Sequence, residues 1–286
     1  MIPADFDYVR ASSAQEAVDL LARNQDARLL AGGHSLIPML KLRLAQPAQL
    51  IDIGRIDELR GICEQDGALR IGSLTTHDQI SNSDLVRQKC SILAGAAKKI
   101  GDPQVRNKGT IGGNIAHADP ASDLPAVLVA LGATIHALGP EGGRTIAAAD
   151  FFTGLLETAI GPGEILTEIE VPACCDDGSG CTYLKVEHPA SGYAVCGAAA
   201  VVKMEEGSCS SASLCFNGVT PTVLNAWPDG SPLVGGPADD AAVGTAMAGL
   251  SIDEPLGDMH ASGEYRVALA RAYGKRALIA ARERST

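Results

Sequence analysis

A chain of 286 residues has room for two domains and a sizeable core. Hydrophobic residues make up 46% and aromatics only 3%, so the core must be built from Ala, Leu, Ile and Val. The formal net charge of −11 repels phosphate backbones and anionic lipid and argues against nucleic acid and membrane surfaces as partners.

No basic-then-apolar leader follows Met1, and no apolar run approaches the ~20 residues that span a bilayer; the expectation is a soluble, cytoplasmic protein. Ser13 to Arg23 has the spacing of an amphipathic helix, with Ser12 or Ser13 as cap, Glu16 in the first turn and Ala17, Leu20 and Leu21 on one face. Arg28 to Ala31 is predicted as a short strand running into Gly32 and Gly33, Ile37 to Leu44 as a helix, and Leu50 to Ile53 and Leu69 to Leu74 as strands. Thr75, Thr76 and His77 open a short helix. Leu85 to Ile100 is predicted as one helix ended by Gly101, and Asp102 to Asn114 as a Gly-rich loop. Asp119-Pro120 is predicted to start a helix that runs to Leu131, because the fixed φ of Pro suits a first turn. Strands follow at Ala133 to Leu138 and Ile165 to Val171, the second stopped by Pro172. Residues 173–181, rich in Cys, Asp, Gly and Ser, read as a linker. Beyond it the pattern changes to strands at Thr182 to Val186, Ala194 to Met204 and Ser211 to Asn217, with helices at Asp239 to Leu250 and Glu264 to Arg284.

The eight cysteines form no C-x-x-C pair, so the chain carries no ordinary iron–sulfur ligand set. Reduced, partly buried thiols are the expectation, with Cys174, Cys175 and Cys181 of the linker as the exposed ones. No His stands near them in sequence, and no metal site is assigned.

Two glycine segments stand out: Ala31-Gly32-Gly33-His34-Ser35-Leu36, between a strand and a helix, and Gly109-Thr110-Ile111-Gly112-Gly113-Asn114. Neither is a Rossmann or P-loop fingerprint. Paired glycines nevertheless let backbone N–H groups approach an anion, and Ser35 and Thr110 add hydroxyl donors. Singly, each reads as a tight turn. Together they suit one long phosphate-containing ligand, such as a dinucleotide, and they supply neutral donors that let an acidic protein bind it.

Ala31 to Pro38 and Thr110 to Asn114 resemble the two FAD pyrophosphate loops of the medium subunit of molybdenum hydroxylases, the carbon monoxide and xanthine dehydrogenase type. The likeness continues through Asp102-Pro103-Gln104-Val105-Arg106, Ala118 to Asp123, Gly163-Glu164-Ile165-Leu166 and Lys185, and it covers most of residues 1–200. The resemblance implies an α+β fold. A two-subdomain FAD-binding domain of the vanillyl-alcohol-oxidase (PCMH) type would span residues 1–176, with subdomains about 1–55 and 56–176. A small sheet-plus-helices domain of the carbon monoxide dehydrogenase flavoprotein type would follow at 177–286.

It also implies roles. Ala31, Gly32, Gly33, His34, Ser35 and Leu36, with Thr110, Ile111, Gly112, Gly113 and Asn114, would wrap the pyrophosphate. Asp123 would lie near the ribose or adenine half, and Ile100 would pack on the adenine. Leu166 would lie against the flavin, Lys185 would approach the isoalloxazine as a cation that stabilises the reduced ring, and Tyr193 would shape access for the electron acceptor. Each has a plainer reading: Ile100 and Leu166 as core, Asp123 as a first-turn acid, Lys185 as a solvated charge. No residue of this chain is assigned a catalytic role. The run Lys185 to Tyr193, with His188-Pro189, departs from the more basic run of carbon monoxide dehydrogenases, which leaves open substrate class and oxidant.

The implied function is electron transfer. A large partner holds the molybdenum cofactor, a small partner carries iron–sulfur clusters, and FAD on this chain delivers electrons to an external acceptor, in an assembly expected to be a dimer of heterotrimers. The carbon monoxide dehydrogenase type leads. The alternatives are a stand-alone flavin oxidase or reductase of the same fold, a medium subunit of an aldehyde or N-heterocycle hydroxylase, or a non-catalytic nucleotide-binding scaffold.

Overall fold

The computed structural model describes residues 1–174 and 177–285. Three sheets succeed one another along the chain, beside a small two-stranded hairpin. β1 (Asp7–Arg10), α1 (Ala14–Arg23), β2 (Ala27–Leu30), α2 (Leu36–Lys41) and β3 (Gln49–Asp52) come first. Their strands pair in parallel in the order β1-β3-β2. Ser13 caps α1, its Oγ accepting from the Glu16 amide at 3.1 Å, and the helix buries Ala14, Ala17 and Val18.

The second sheet opens with β4 (Ile62–Gln65) and β5 (Ala68–Gly72). A long helical excursion follows: α3 (His77–Asn82), α4 (Asp84–Lys89), α5 (Ser91–Lys98), α6 (Pro103–Arg106), α7 (Ile111–His117) and α8 (Asp123–Ala130). The chain then returns through β6 (Thr134–Gly139), β7 (Gly142–Ala147), α9 (Ala148–Phe151), the hairpin β8 (Phe152–Gly154) and β9 (Glu157–Thr158), and β10 (Ile165–Pro172). The sheet order is β4-β5-β10-β6-β7, antiparallel throughout. One face carries Ile71, Ile135 and Ile169 into the core; the other carries Arg70, paired with Glu168 at 2.7 Å and Glu170 at 2.9 Å. This is the period-two alternation of a half-buried sheet.

The third sheet is β11 (Gly180–Glu187), β12 (Ala194–Glu205), β13 (Ser208–Asn217) and β14 (Leu224–Asn225), antiparallel in that order. α10 (Asp240–Ala248) and α11 (Gly263–Arg282) cover it. Every residue of α8 is buried, as a helix apolar on all sides beyond its first residue must be, and it packs against both α5 and β12. One core cluster therefore runs from Leu69 and Ile71 of the second sheet to Tyr183, Ala199 and Cys215 of the third.

Several expectations are corrected. The helix expected from Leu85 to Ile100 is two, broken at Cys90, whose φ of −150° and ψ of 71° leave the helical region. Pro120 precedes its helix, which starts at Asp123. The expected loop from Asp102 to Asn114 holds α6 and the first turn of α7. Strands β1, β4 and β7 went unpredicted because they are short, and most of their residues are exposed. Cys174 and Cys181 are buried, at 6% and 5% exposure, because they enter the core beside Cys90 with Sγ atoms 3.1 Å apart and 3.6 Å from Cys90 to Cys174; Cys175 lies outside the described residues. Among the described residues no helix is long and apolar enough to cross a membrane.

Candidate cofactor site

The segment 31–36 leaves β2 and enters α2. Gly33 turns it at a φ of +74°, where a side chain is strained, and its carbonyl accepts from the Ile37 amide at 2.9 Å to begin the helix. Gly32 is required for another reason. A Cβ there would run into the carbonyl of Lys108, with Gly109 Cα at 3.1 Å, so the two glycine segments lie backbone against backbone. Among the described residues, the half-buried amides of Gly32, Gly33 and Ser35 and the exposed one of His34 donate to no protein acceptor.

The second segment is a helix start. Thr110 caps α7, its Oγ1 accepting from the Gly113 amide at 3.1 Å, which leaves the hydroxyl proton to donate. The amides of Ile111 and Gly112 donate inward, to Thr75 O at 3.0 Å and Ser73 O at 2.8 Å. A Cβ on Gly112 would lie 2.5 Å from Ser73 Cβ. Gly113 is exposed instead, and a Cβ there would meet Thr110 Oγ1 at 2.9 Å and then only Ala31 Cβ at 3.8 Å.

Ser73 and His77, which sequence reasoning passed over, form the floor of this segment. Gly109 lies on the His77 ring, where a Cβ would come within 2.9 Å of Cδ2, and the His77 amide donates to Gly109 O at 3.0 Å. Burial, then the nearby charges of His34 and Arg106, push the His77 imidazole down to about 4, so it is neutral at physiological pH. The signal in the sequence was Gly72-Ser73-Leu74-Thr75-Thr76-His77, a run of small and hydroxyl residues ahead of a capped helix, but nothing in it tells which glycines it will meet.

Asn114 carries the site onward. Its Oδ1 accepts from Ser122 Oγ at 2.8 Å, leaving Nδ2 to donate. The next residue after Ser122 is Asp123, 4% exposed. Lys185 Nζ donates to Asp123 Oδ2 at 2.9 Å and to Lys99 O at 3.1 Å, and the Tyr183 hydroxyl donates to Asp123 Oδ1 at 2.5 Å. Burial raises the Asp123 carboxyl above the ordinary carboxylate range, against the pull of Lys185 and Tyr183. Ile100 follows Lys99; its carbonyl and that of Gly101 accept from Arg106 at 3.0 and 2.9 Å. Gly192 lies against Gly101, a Cβ on it reaching Gly101 Cα at 3.8 Å, which brings the half-exposed Tyr193 to the same end. Burial and the charges of Asp119 and Asp123 push the Tyr193 phenol up.

Asp123 and Ile100 were expected at the ribose–adenine half, Lys185 and Tyr193 at the isoalloxazine. They do not stand apart in the structure: Asp123 and Lys185 form a 2.9 Å ion pair, and the backbone of Lys99 to Gly101 lies against Lys185 and Gly192. Nor is Lys185 solvated, its side chain being 2% exposed. Leu166, 7% exposed on β10, faces the core opposite Ala137, and Thr167 O beside it accepts from the Ser73 amide at 2.9 Å.

A row of unpartnered neutral donors beside an open glycine surface fits the pyrophosphate of a dinucleotide; the buried polar cluster beyond it fits a ring system that gains charge. Among the described residues no group of three or more His, Cys, Asp or Glu is arranged to hold a metal ion.

Comparison with known proteins identifies the family. Residues 4–174 match the family described as FAD binding domain in molybdopterin dehydrogenase, and residues 182–281 the CO dehydrogenase flavoprotein C-terminal domain. The chain is 43% identical over 283 residues to the carbon monoxide dehydrogenase medium chain of Hydrogenophaga pseudoflava, covering 98% of each. It is 40% identical over 267 residues to the glyceraldehyde dehydrogenase medium chain of Sulfolobus acidocaldarius, covering 93% of this chain and 94% of that one. In the reconstituted CO dehydrogenase from Oligotropha carboxidovorans, a chain 42% identical superposes with a TM-score of 0.95 over 100% of both.

Proposed function

This chain belongs to the FAD-binding medium subunits of the molybdenum hydroxylases, and we propose that it is the electron outlet of such a complex. It carries FAD, receives electrons from iron–sulfur clusters on a partner subunit and passes them to an external acceptor; the leading type is carbon monoxide dehydrogenase. The observation that carries the reading is the backbone contact of Gly32 with Lys108 and Gly109, which joins two distant glycine segments into one anion cradle. A purified complex is expected to show a flavin spectrum with one FAD per chain. Reduction of that flavin by a small substrate in the isolated chain would instead favour a stand-alone oxidase.

Bound FAD supplies the exchange between single-electron clusters and a two-electron acceptor; the residues bind and orient it. Ala31 to Leu36 and Thr110 to Asn114 hold the pyrophosphate, with the amides of Gly32 to Ser35 and the Thr110 hydroxyl as donors. Ile100, Asp123, Leu166, Lys185 and Tyr193 surround the flavin half. In support, Lys185 is held within a buried network and Tyr193 stands at its solvent side. A half-exposed aromatic there shields the ring from water while leaving an edge open to an acceptor.

Large molybdenum-cofactor and small iron–sulfur partners follow from the medium-chain family. The further arrangement as a dimer of heterotrimers, a cytoplasmic location, and a domain division at residues 176 and 177 are part of the same reading. The family matches at 4–174 and 182–281 support the division. Relatives of nearly equal identity include a glyceraldehyde dehydrogenase chain, so likeness among medium chains does not by itself fix the hydroxylated substrate.

A further inference from the structure

Tyr183 has no part in the cofactor reading so far, yet it is the centre of the buried polar network. It sits on β11, 7% exposed, with Lys99 Nζ donating to its backbone carbonyl at 3.2 Å and standing 5.6 Å over its ring. Its hydroxyl is 2.5 Å from Asp123 Oδ1 and 3.2 Å from the side-chain amide of Asn217. A phenol has one proton, and the carboxylate is the shorter and stronger acceptor. Asn217 Nδ2 is otherwise buried without a partner. Turning the amide over, which exchanges two atoms of nearly equal size, lets Nδ2 donate to the phenol oxygen. The result is a directed chain: Asn217 to Tyr183, Tyr183 to Asp123, with Lys185 closing on the other carboxylate oxygen. Gly197 of β12 makes room for it, since a Cβ there would run into both the phenol oxygen and the Asn217 amide.

We propose that Tyr183, backed by Asn217, is a positioning residue that fixes the Asp123–Lys185 ion pair at the flavin end and thereby sets how tightly reduced FAD is bound relative to oxidised FAD. This rests on the FAD reading above. The chain of donors keeps the carboxylate ionised and aimed, so the cofactor meets a compensated pair and not a lone ammonium. Loosening the carboxylate's hold uncovers the lysine charge and favours the reduced, more negative ring.

The test is a redox titration of the flavin in the purified complex for wild type, Tyr183→Phe, Asp123→Asn and the double variant, with thermal melts as a check on folding. Tyr183→Phe removes only the hydroxyl. It is expected to shift the flavin potential positive by the equivalent of a roughly tenfold change in the ratio of reduced to oxidised FAD binding, the scale of one hydrogen bond to a charged group. Asp123→Asn is expected to shift it further in the same direction, and in that background Tyr183→Phe adds nothing. Asn217→Leu, which withdraws the donor behind the phenol, gives a smaller positive shift and serves if the tyrosine variant does not fold. An unchanged potential in Tyr183→Phe and Asn217→Leu, or a tyrosine effect of equal size with and without the carboxylate, overturns the proposal. A folded wild-type complex without flavin would overturn the FAD reading itself, and this inference with it.

Discussion

Lys185 closes on Asp123 at 2.9 Å, across the junction between α8 and β11, with side-chain exposures of 2% and 5%. A buried pair of this kind adds little to stability while intact but is costly to break from one side. Asp123 already titrates above the ordinary carboxylate range because it is buried, and Lys185 is the main counterweight. A group whose pKa is higher folded than unfolded favours the fold below its unfolded pKa and loses that as pH rises through the folded one. Lys185→Met raises the folded value further. It is expected to lose about 3–5 kcal/mol at neutral to basic pH and to regain part of that under mildly acidic conditions. Thermal melts across this range check it; a loss independent of pH would mean that the carboxylate is not its source.

Gly112 and Gly113 are adjacent and are expected to respond differently. A side chain on Gly112 must displace Ser73, whose Cβ and carbonyl would lie 2.5 and 2.7 Å away, so Gly112→Val should lower the melting temperature of the chain with or without cofactor. Gly113 faces outward, with only the Thr110 hydroxyl in the way. Gly113→Val should therefore cost at most about 1 kcal/mol in the apo chain, the worth of a cap, yet abolish FAD retention. Flavin content and melting temperature measured on both variants separate the two; normal flavin content in Gly113→Val would remove that surface from the pyrophosphate site.

FAD is expected to be held without a covalent bond. Near the proposed site, His34 Nδ1 is turned 3.1 Å from Gly32 O and the His77 ring is buried under Gly109. Acid precipitation of the complex should leave all the flavin in the supernatant. A yellow, fluorescent pellet would contradict this.

The thiols make a fourth prediction. Cys63 is exposed, while Cys90, Cys174, Cys181, Cys196, Cys209 and Cys215 are buried. Burial pushes the Cys196 and Cys215 thiols up to about 12, and the hydrogen bond with Cys174, with burial, raises Cys90 well above its ordinary value. Since the thiolate is the reactive form, maleimide at neutral pH should label Cys63 quickly and those six only after unfolding, as peptide mass mapping would report. Rapid native labelling of Cys174 or Cys181 would mean that the junction opens.

How much was legible in the sequence differs by scale. Helices with a clear cap and period, such as Ser13 to Arg23, and the long alternating strands were readable because their signals are local. So were the two glycine segments, since a φ of +74° at Gly33 or a helix cap at Thr110 depends on near neighbours. What no local signal carries is which backbone a glycine will meet. Gly32 needs to be bare because of Lys108, and Gly112 because of Ser73, contacts that exist only once β2, β5 and α7 have packed. The same holds for charge. As a sequence, Lys185 is a strand lysine and Asp123 a first-turn acid, each satisfactory in water. Only the packing of α8 against β12 and β13, next to β11, takes both out of solvent, and in that low-dielectric setting each requires the other, with Tyr183 to hold the carboxylate in place.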